Sequence, residues 1–320
     1  MYLQKRAAAA GLFALIMGNA LPAMAEWPDK PITLVTPYTP GGNADILARL
    51  IAQPLSKRLG KPVIVENRPG AGGMIGAQYA ARAKPDGYTL LLGSVANVLY
   101  EYFYKNVPMD FGADLLPVSH IASFPNFVVV SPNAGIDSIE EAVQHAKSSS
   151  TGISCGNPGI GTTPYLTCEI LKNRLGIALT NVPYKGSLPA ITDVIGGQIT
   201  LAVASEALPY MKDGRLKPLA VSSRLPTPLA PEVPPLSHTI EGVDVVAWFG
   251  VFAPRNTPQA IIERISSDIA ASLKSADMRA KLAGLGATPV GSTPAAFDNY
   301  YKAEATRWRE EIAAMGIKPR

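Results

Sequence analysis

The chain has little with which to do covalent chemistry. Its 320 residues include three histidines, His120, His145 and His238, and two cysteines, Cys155 and Cys168. None of the histidines stands at metal-ligand spacing from another, and two cysteines cannot build an all-cysteine zinc site or a multi-bridge scaffold. This argues against zinc- and histidine-based enzymes, and no metal or cofactor is expected. Charge is also scarce. Only 17% of residues are charged and the formal net charge is +4, so nothing favours nucleic acid or an anionic membrane surface. The 28 glycines and 29 prolines follow no collagen-like period. With 47% hydrophobic residues the chain is not disordered, and its length suits one large domain or two medium ones.

Long apolar runs are missing except at the start. Lys5 and Arg6 precede an apolar stretch from Ala7 to Leu21, followed by Pro22-Ala23-Met24-Ala25. A basic region, a short apolar region and small residues at the A-x-A positions make up a secretory signal peptide. The apolar run is broken by Gly and Asn and is short for a membrane span. Residues 1–25 are therefore expected to be removed after Ala25. The mature chain would start at Glu26, lose two basic residues and no acid, and carry a formal charge of +2. It is expected to be soluble and exported.

Beyond Glu26 a strand, glycine loop, helix unit repeats. Ile32–Pro37 is a β-branched apolar run, Pro40-Gly41-Gly42 a turn, and Asn43 the expected N-cap of a helix with Ile46, Leu47, Leu50, Ile51 and Leu55 at helical spacing. Pro54 should kink that helix or start a new turn. Pro62–Glu66 is a strand before Gly70-Ala71-Gly72-Gly73, and Tyr88–Leu92 a strand before Gly93-Ser94. Ser138 with Glu141 reads as a capping box. The strand Ile153–Cys155 leads to Gly159-Ile160-Gly161-Thr162, with Thr163 and Pro164 as N-cap and first helical residue. Further strands are expected at Asn181–Tyr184, Thr200–Ala204 and Leu216–Val221.

This alternation predicts an α/β fold with parallel sheets covered on both faces. So many alternations fit two lobes better than one sheet. Ile121–Val130 and Val243–Ala253 are the expected crossovers between the lobes. The ligand cleft then lies between the lobes, where the strand carboxyl ends carry the glycine loops. The expected division is 26–123 for the first lobe, 124–248 for the second and 249–320 for the return, with Trp248 near the cleft.

Glycine lets backbone amides approach a ligand, and a helix N-terminus favours an anion. The loops at Gly41-Gly42, Gly72 and Gly159–Thr163 are therefore candidate anion contacts, though tight turns alone would also call for such glycines. Gly161 leaves room for a carboxylate that a Cβ would fill. Asp45, in a first helical turn, either complements the dipole, fixes its loop or touches ligand. Gly70–Gly76 imitates a dinucleotide fingerprint, but its third glycine is out of register. Gly152–Gly156 matches G-x-S-x-G, and Asp193 or Asp213 followed by His238 gives a hydrolase order. Ser154, however, falls inside its strand rather than on a sharp turn, so the match reads as chance and no enzyme is expected. Cys155 and Cys168 fit either two buried thiols or a disulfide, the latter requiring Cα atoms about 4.4–6.8 Å apart.

Several motifs stand together: Trp27-Pro28-Asp29-Lys30-Pro31, Tyr38–Asp45 with Arg49, Val65–Gly73, Lys84–Leu90, Pro183-Tyr184-Lys185-Gly186, Gly196-Gly197-Gln198 and Trp248-Phe249-Gly250. In these the chain resembles the Bug family of extracytoplasmic solute receptors, the binding proteins of tripartite tricarboxylate transporters. The resemblance implies a two-lobe, type II-like periplasmic binding protein that closes over a small carboxylate. It implies ligand contacts from Tyr38 to Asp45, from Gly159 to Tyr165, and at Ser94, Asn97, Tyr184 and Ser205. It also implies a monomer that hands its ligand to the membrane subunits of a tripartite transporter, or to a membrane sensor. Two residues depart from the family pattern. Tyr165 stands where His is usual, and Thr200 where Asp is usual.

Overall fold

The computed structural model describes residues 27–316; the expected leader, its cleavage point and Glu26 lie outside the described residues. Two sheets organise the chain. The first has the order β11-β4-β10-β3-β1-β2. Its strands are β1 (Ile32–Thr36), β2 (Val63–Asn67), β3 (Thr89–Ser94), β4 (Leu115–Pro125), β10 (Val246–Pro254) and β11 (Thr288–Pro289). The second has the order β7-β6-β8-β5-β9. It comprises β5 (Phe127–Val130), β6 (Ile153–Asn157), β7 (Leu179–Pro183), β8 (Leu201–Ala204) and β9 (Lys217–Val221). The helices are α1 (Asn43–Leu59), α2 (Met74–Ala81), α3 (Val95–Phe103), α4 (Phe111–Asp114), α5 (Ile139–Ser148), α6 (Thr163–Leu175), α7 (Ser187–Ile195), α8 (Leu208–Lys212), α9 (Gln259–Leu273), α10 (Ala276–Gly284) and α11 (Pro294–Ala314).

The sheets are mixed rather than wholly parallel. The βαβ units β1-β2-β3 and β6-β7-β8 pair in parallel, as helical crossovers require. The strands that change lobe run the other way. β10 is antiparallel to both β3 and β4, and β5 is antiparallel to β8 and β9. Each lobe thus keeps its parallel units and takes in one or more strands from the crossing segments.

Local sequence explains the helices. In α1, Leu47, Ile51, Leu55 and Leu59 repeat every fourth residue and are buried with Ala44, Ala48 and Ala52. The helix continues through Pro54 and ends at Gly60, left-handed at φ 69°. Its N-cap is Gly42, not Asn43, which is the first helical residue. Likewise Thr162 caps α6, Thr163 opens it and Pro164 follows, one residue earlier than expected. Ser138 caps α5 by accepting from the Glu141 amide, but the Glu141 carboxylate accepts from the Asp137 amide, so the reciprocal half of the box is displaced by one residue.

The chain passes to the second lobe through Asn126 and returns through Val245. Here the Asn126 amide N–H donates to Ser222 Oγ, Asn126 Nδ2 to the Val245 carbonyl, and Ser222 Oγ to the same carbonyl. The Ser222 N–H donates to the Asn126 carbonyl, and the Val245 N–H to that of Ser222. The two crossings are therefore fastened to each other and to the end of β9. Behind them, fully buried Trp248 donates from Nε1 to Glu304 of α11. One apolar cluster includes residues of both lobes, among them Leu91, Trp248, Val128 and Leu166.

The structure joins Cys155 of β6 to Cys168 of α6, with Cα atoms 6.0 Å apart. Of the two readings open from the sequence, the disulfide is the one observed. The bridge closes a short loop that contains the whole Gly159–Thr162 turn. By loop-closure entropy such a bridge contributes about 3 kcal/mol. The Cys155→Ala/Cys168→Ala variant should lose roughly 2–4 kcal/mol in urea unfolding, and the denatured wild type should show no free thiol.

His120 of β4 lies 4.7 Å from the Tyr300 ring and 5.6 Å from that of Phe297, stacked on both, with Ser123 Oγ near Nε2. Burial drops its pKa to about 4, against a small opposing effect from the backbone at Ala122. The unfolded chain takes up this proton near pH 6.5, so below that pH it binds more protons than the folded state. Stability present above about pH 6.5 should therefore be lost as the pH falls toward 4, on the order of 3 kcal/mol in all. Thermal unfolding from pH 7 to 4 should show this loss, and His120→Phe should flatten it.

Candidate functional site

The carboxyl ends of β1, β3, β6, β7 and β8 all deliver chain to one cavity between the lobes. The cavity holds about 460 Å³. On the first lobe its walls include Tyr38, Gly42, Asn43, Ala44 and Ser94; on the second they include Gly161, Thr162, Thr163, Gly186, Ser187 and Ser205. Asn126, Ala247 and Trp248 contribute from the crossing. A neighbouring recess of about 290 Å³ shares Tyr38, Ala96, Gly161 and Thr162 and is otherwise mostly apolar, with Leu99, Phe103 and Ile160.

Four helices begin at this cavity: α1, α3, α6 and α7. The first amides of a helix have no carbonyl partner within it, and the dipole makes that end positive. Side chains satisfy some of these donors. Ser94 Oγ accepts from the Ala96 N–H, while Asn97 Oδ1 accepts from the Ser94 N–H. Thr162 Oγ1 accepts from the Tyr165 N–H and donates to the Gly159 carbonyl. The glycine caps of α1 and α7 have no side chain to offer, and neither helix has a side-chain cap. The first-turn amides at Asn43, Ala44, Thr163 and Ser187 are thus left without a side-chain cap at the wall.

Asp45 acts as the anchor of the first loop. Its carboxylate accepts from the Gly41 N–H at 3.0 Å, from Asn67 Nδ2 at 2.9 Å and from Arg49 Nε at 3.1 Å. Burial would raise its pKa, but Arg49, the Gly41 amide and Asn67 together hold the carboxyl below its ordinary value. It stays ionised and its oxygens are committed to the loop. Tyr38 hydrogen-bonds Ser94 Oγ at 2.5 Å, and burial pushes its phenol up to about 12, so it is neutral at any physiological pH.

Gly161 has φ 82°, a left-handed backbone that L side chains rarely adopt. A Cβ there would meet only Phe103, at 3.8 Å. The backbone angle therefore demands glycine in its own right, beyond the room it leaves for a ligand.

Of the residues singled out from sequence, Tyr38, Gly42, Ser94, Gly161, Thr162, Thr163 and Ser205 line the main cavity, and Gly72 lines the recess. Asp45 and Asn97 stand behind the wall as supports. Gly41, Gly159, Tyr165 and Tyr184 line neither space. The Tyr165 ring lies 6.2 Å from Phe103 across the lobes, and the Tyr184 hydroxyl donates to Asp193. Thr200 is at the other end of the second sheet. Its N–H donates to Ser154 Oγ, and Ser154 lies within β6. Ser154 therefore has no nucleophile-elbow turn.

Sequence reasoning missed Glu206 and Asn126. Glu206 follows β8 in a short 3₁₀ turn, and its Oε1 accepts from Asn43 Nδ2 of the first lobe at 3.1 Å. An acid directly after a buried strand and a serine was the one available signal.

Residues 47–317 match the family described as tripartite tricarboxylate transporter family receptor. The protein BugT of Bordetella pertussis is 32% identical, with 99% of each chain covered. Among solved structures, Rpa4515 of R. palustris with adipate is 33% identical, with 92% of this chain and 100% of that one covered and a TM-score of 0.83. MatC of Rhodopseudomonas palustris, with bound malate, is 28% identical, with 89% of this chain and 100% of that one covered and a TM-score of 0.76.

The anchoring role of Asp45 can be read directly. Asp45→Ala leaves the Gly41 and Asn67 donors unmet and should cost about 1–3 kcal/mol in urea unfolding. Amide hydrogen exchange should then speed up at residues 39–44 and remain unchanged in the second lobe.

Proposed function

Because the chain belongs to the tripartite tricarboxylate transporter receptor family, and is thus a solute-binding receptor rather than an enzyme, we propose that it captures a small organic carboxylate in the cavity between its lobes and delivers it to membrane transport subunits. The observation that carries this reading is the convergence of four helix N-termini on one cavity, two of them without side-chain caps. Such amides bind an anion without a guanidinium fork. The adipate and malate held by the two solved relatives are of the same chemical class.

In this reading the ligand carboxylate lies among the amides of Asn43, Ala44, Thr163 and Ser187, with the Thr163 hydroxyl and the one hydroxyl proton that the Tyr38–Ser94 hydrogen bond leaves free as further donors. Gly161 keeps the second-lobe loop close, and the Cys155–Cys168 bridge holds that loop in shape. The apolar recess receives the body of the ligand. Closure of the lobes turns on the short segments at Asn126 and Val245. The protein works in the periplasm as a monomer, after removal of residues 1–25.

Calorimetric titration with adipate, malate, glutarate, benzoate, 5-aminopentanoate and leucine, against glucose and ribose, tests the class. At least one carboxylate should bind and neither sugar should; binding of sugars alone would sink the proposal. Backbone amides and the Tyr38 phenol do not titrate near neutrality, so affinity should be nearly flat from about pH 6 to 9. Thr163→Val should weaken binding by roughly ten- to hundredfold, the loss of one hydrogen bond to a charged group. It is a cleaner probe than Gly161→Val, which would strain the loop whatever the ligand.

A further inference from the structure

The main cavity is rich in donors, yet two acceptors stand together in its wall. The first is Glu206. Its Oε1 accepts from Asn43 Nδ2 and its Oε2 from Ser205 Oγ, at 3.1 and 3.0 Å. A carboxylate has about four lone-pair sites, so each oxygen keeps one open. The second is Asn126. Its side-chain nitrogen must face the Val245 carbonyl, to which it donates at 3.2 Å, so its orientation is fixed. Its Oδ1 is then buried and meets no donor in the protein. Five buried side-chain polar atoms lack partners among the described residues, and Asn126 Oδ1 is the one whose residue lines this cavity. A buried unpaired acceptor is costly, so its retention calls for a partner that the protein itself does not supply.

The two acceptors come from the same end of the second sheet: Phe127 pairs with Ala204, so the chain just before β5, which carries Asn126, and the chain just after β8, which carries Glu206, both reach the cavity wall there. The other charged side chain of the wall is Lys185, which is exposed and keeps its hydration.

We infer that the ligand, on the carboxylate reading above, also carries a cationic amino group that docks on Glu206 and Asn126, so that the receptor takes amino-carboxylates in preference to dicarboxylates. An ammonium has three donors, and the two open sites of Glu206 together with Asn126 Oδ1 offer three places for them. Its charge complements the ionised carboxylate. A second carboxylate at that place would face a like charge and an acceptor with nothing to accept, which selects against it. The carboxylate of the same ligand is left for the helix amides.

Matched probes test this by calorimetry on the whole mature protein. The sets are 5-aminopentanoate, pentanoate and glutarate; 4-(aminomethyl)benzoate, benzoate and terephthalate; and leucine with 4-methylpentanoate. In at least one set the amino compound should bind about tenfold tighter or more than its partners. Glu206→Gln should remove most of that advantage while leaving the simple monocarboxylate within about threefold. If carboxylates bind but the dicarboxylates equal or exceed the amino compounds, this inference is overturned and the carboxylate reading stands. An equal loss of amino and simple acids in Glu206→Gln would overturn it as well, by making Glu206 a mere tie between the lobes. If no carboxylate here or in the wider panel binds, both readings fall.

Discussion

The structure depends on amide groups that the fold cannot satisfy. A helix leaves its first N–H groups without carbonyls, and this chain starts four helices at one cavity. Serine and threonine caps quiet part of that surplus at α3 and α6, but the glycine caps of α1 and α7 do not. What remains is a preformed concentration of positive potential in a cavity of about 460 Å³. Supporting groups keep the donors in place: Asp45 pins the first loop, Asn97 pins Ser94, and the disulfide pins the loop after β6. Little reorganisation of these donors is then needed to receive the anion proposed above.

The alternation of β-branched runs, glycine turns and helical spacing was legible in the sequence because each is a local signal. The loops at the cavity were found for the same reason. The direction of the crossing strands was not, because a strand that changes lobe looks like any other apolar run; only its pairing reveals that β5 and β10 run antiparallel to their neighbours. The caps of α1 and α6 were misplaced by one residue, since Asn43 and Thr163 have side chains suited to capping while the true positions depend on backbone angles. Pairing of Cys155 with Cys168 rested on how closely α6 packs against β6, a distance no spacing rule supplies.

Asn126 and Glu206 escaped notice because nothing local marks them. Asn126 lies inside the extended Ile121–Val130 segment with no local mark; its role comes from Val245, more than a hundred positions away. Glu206 directly follows the strand expected at Thr200–Ala204 and Ser205. Only the approach of Asn43 from the other lobe turns it into part of a shared wall. Site residues that gain their role through long-range packing are the ones a sequence conceals.

The ring closed by Cys155 and Cys168 ties one wall of the cavity to the redox state of its surroundings. In a thiol-rich compartment the two sulfurs stay reduced, and the loop between them relies on hydrogen bonds alone. In an oxidising compartment the closed ring adds a covalent constraint to the turn that carries Gly161 and Thr162.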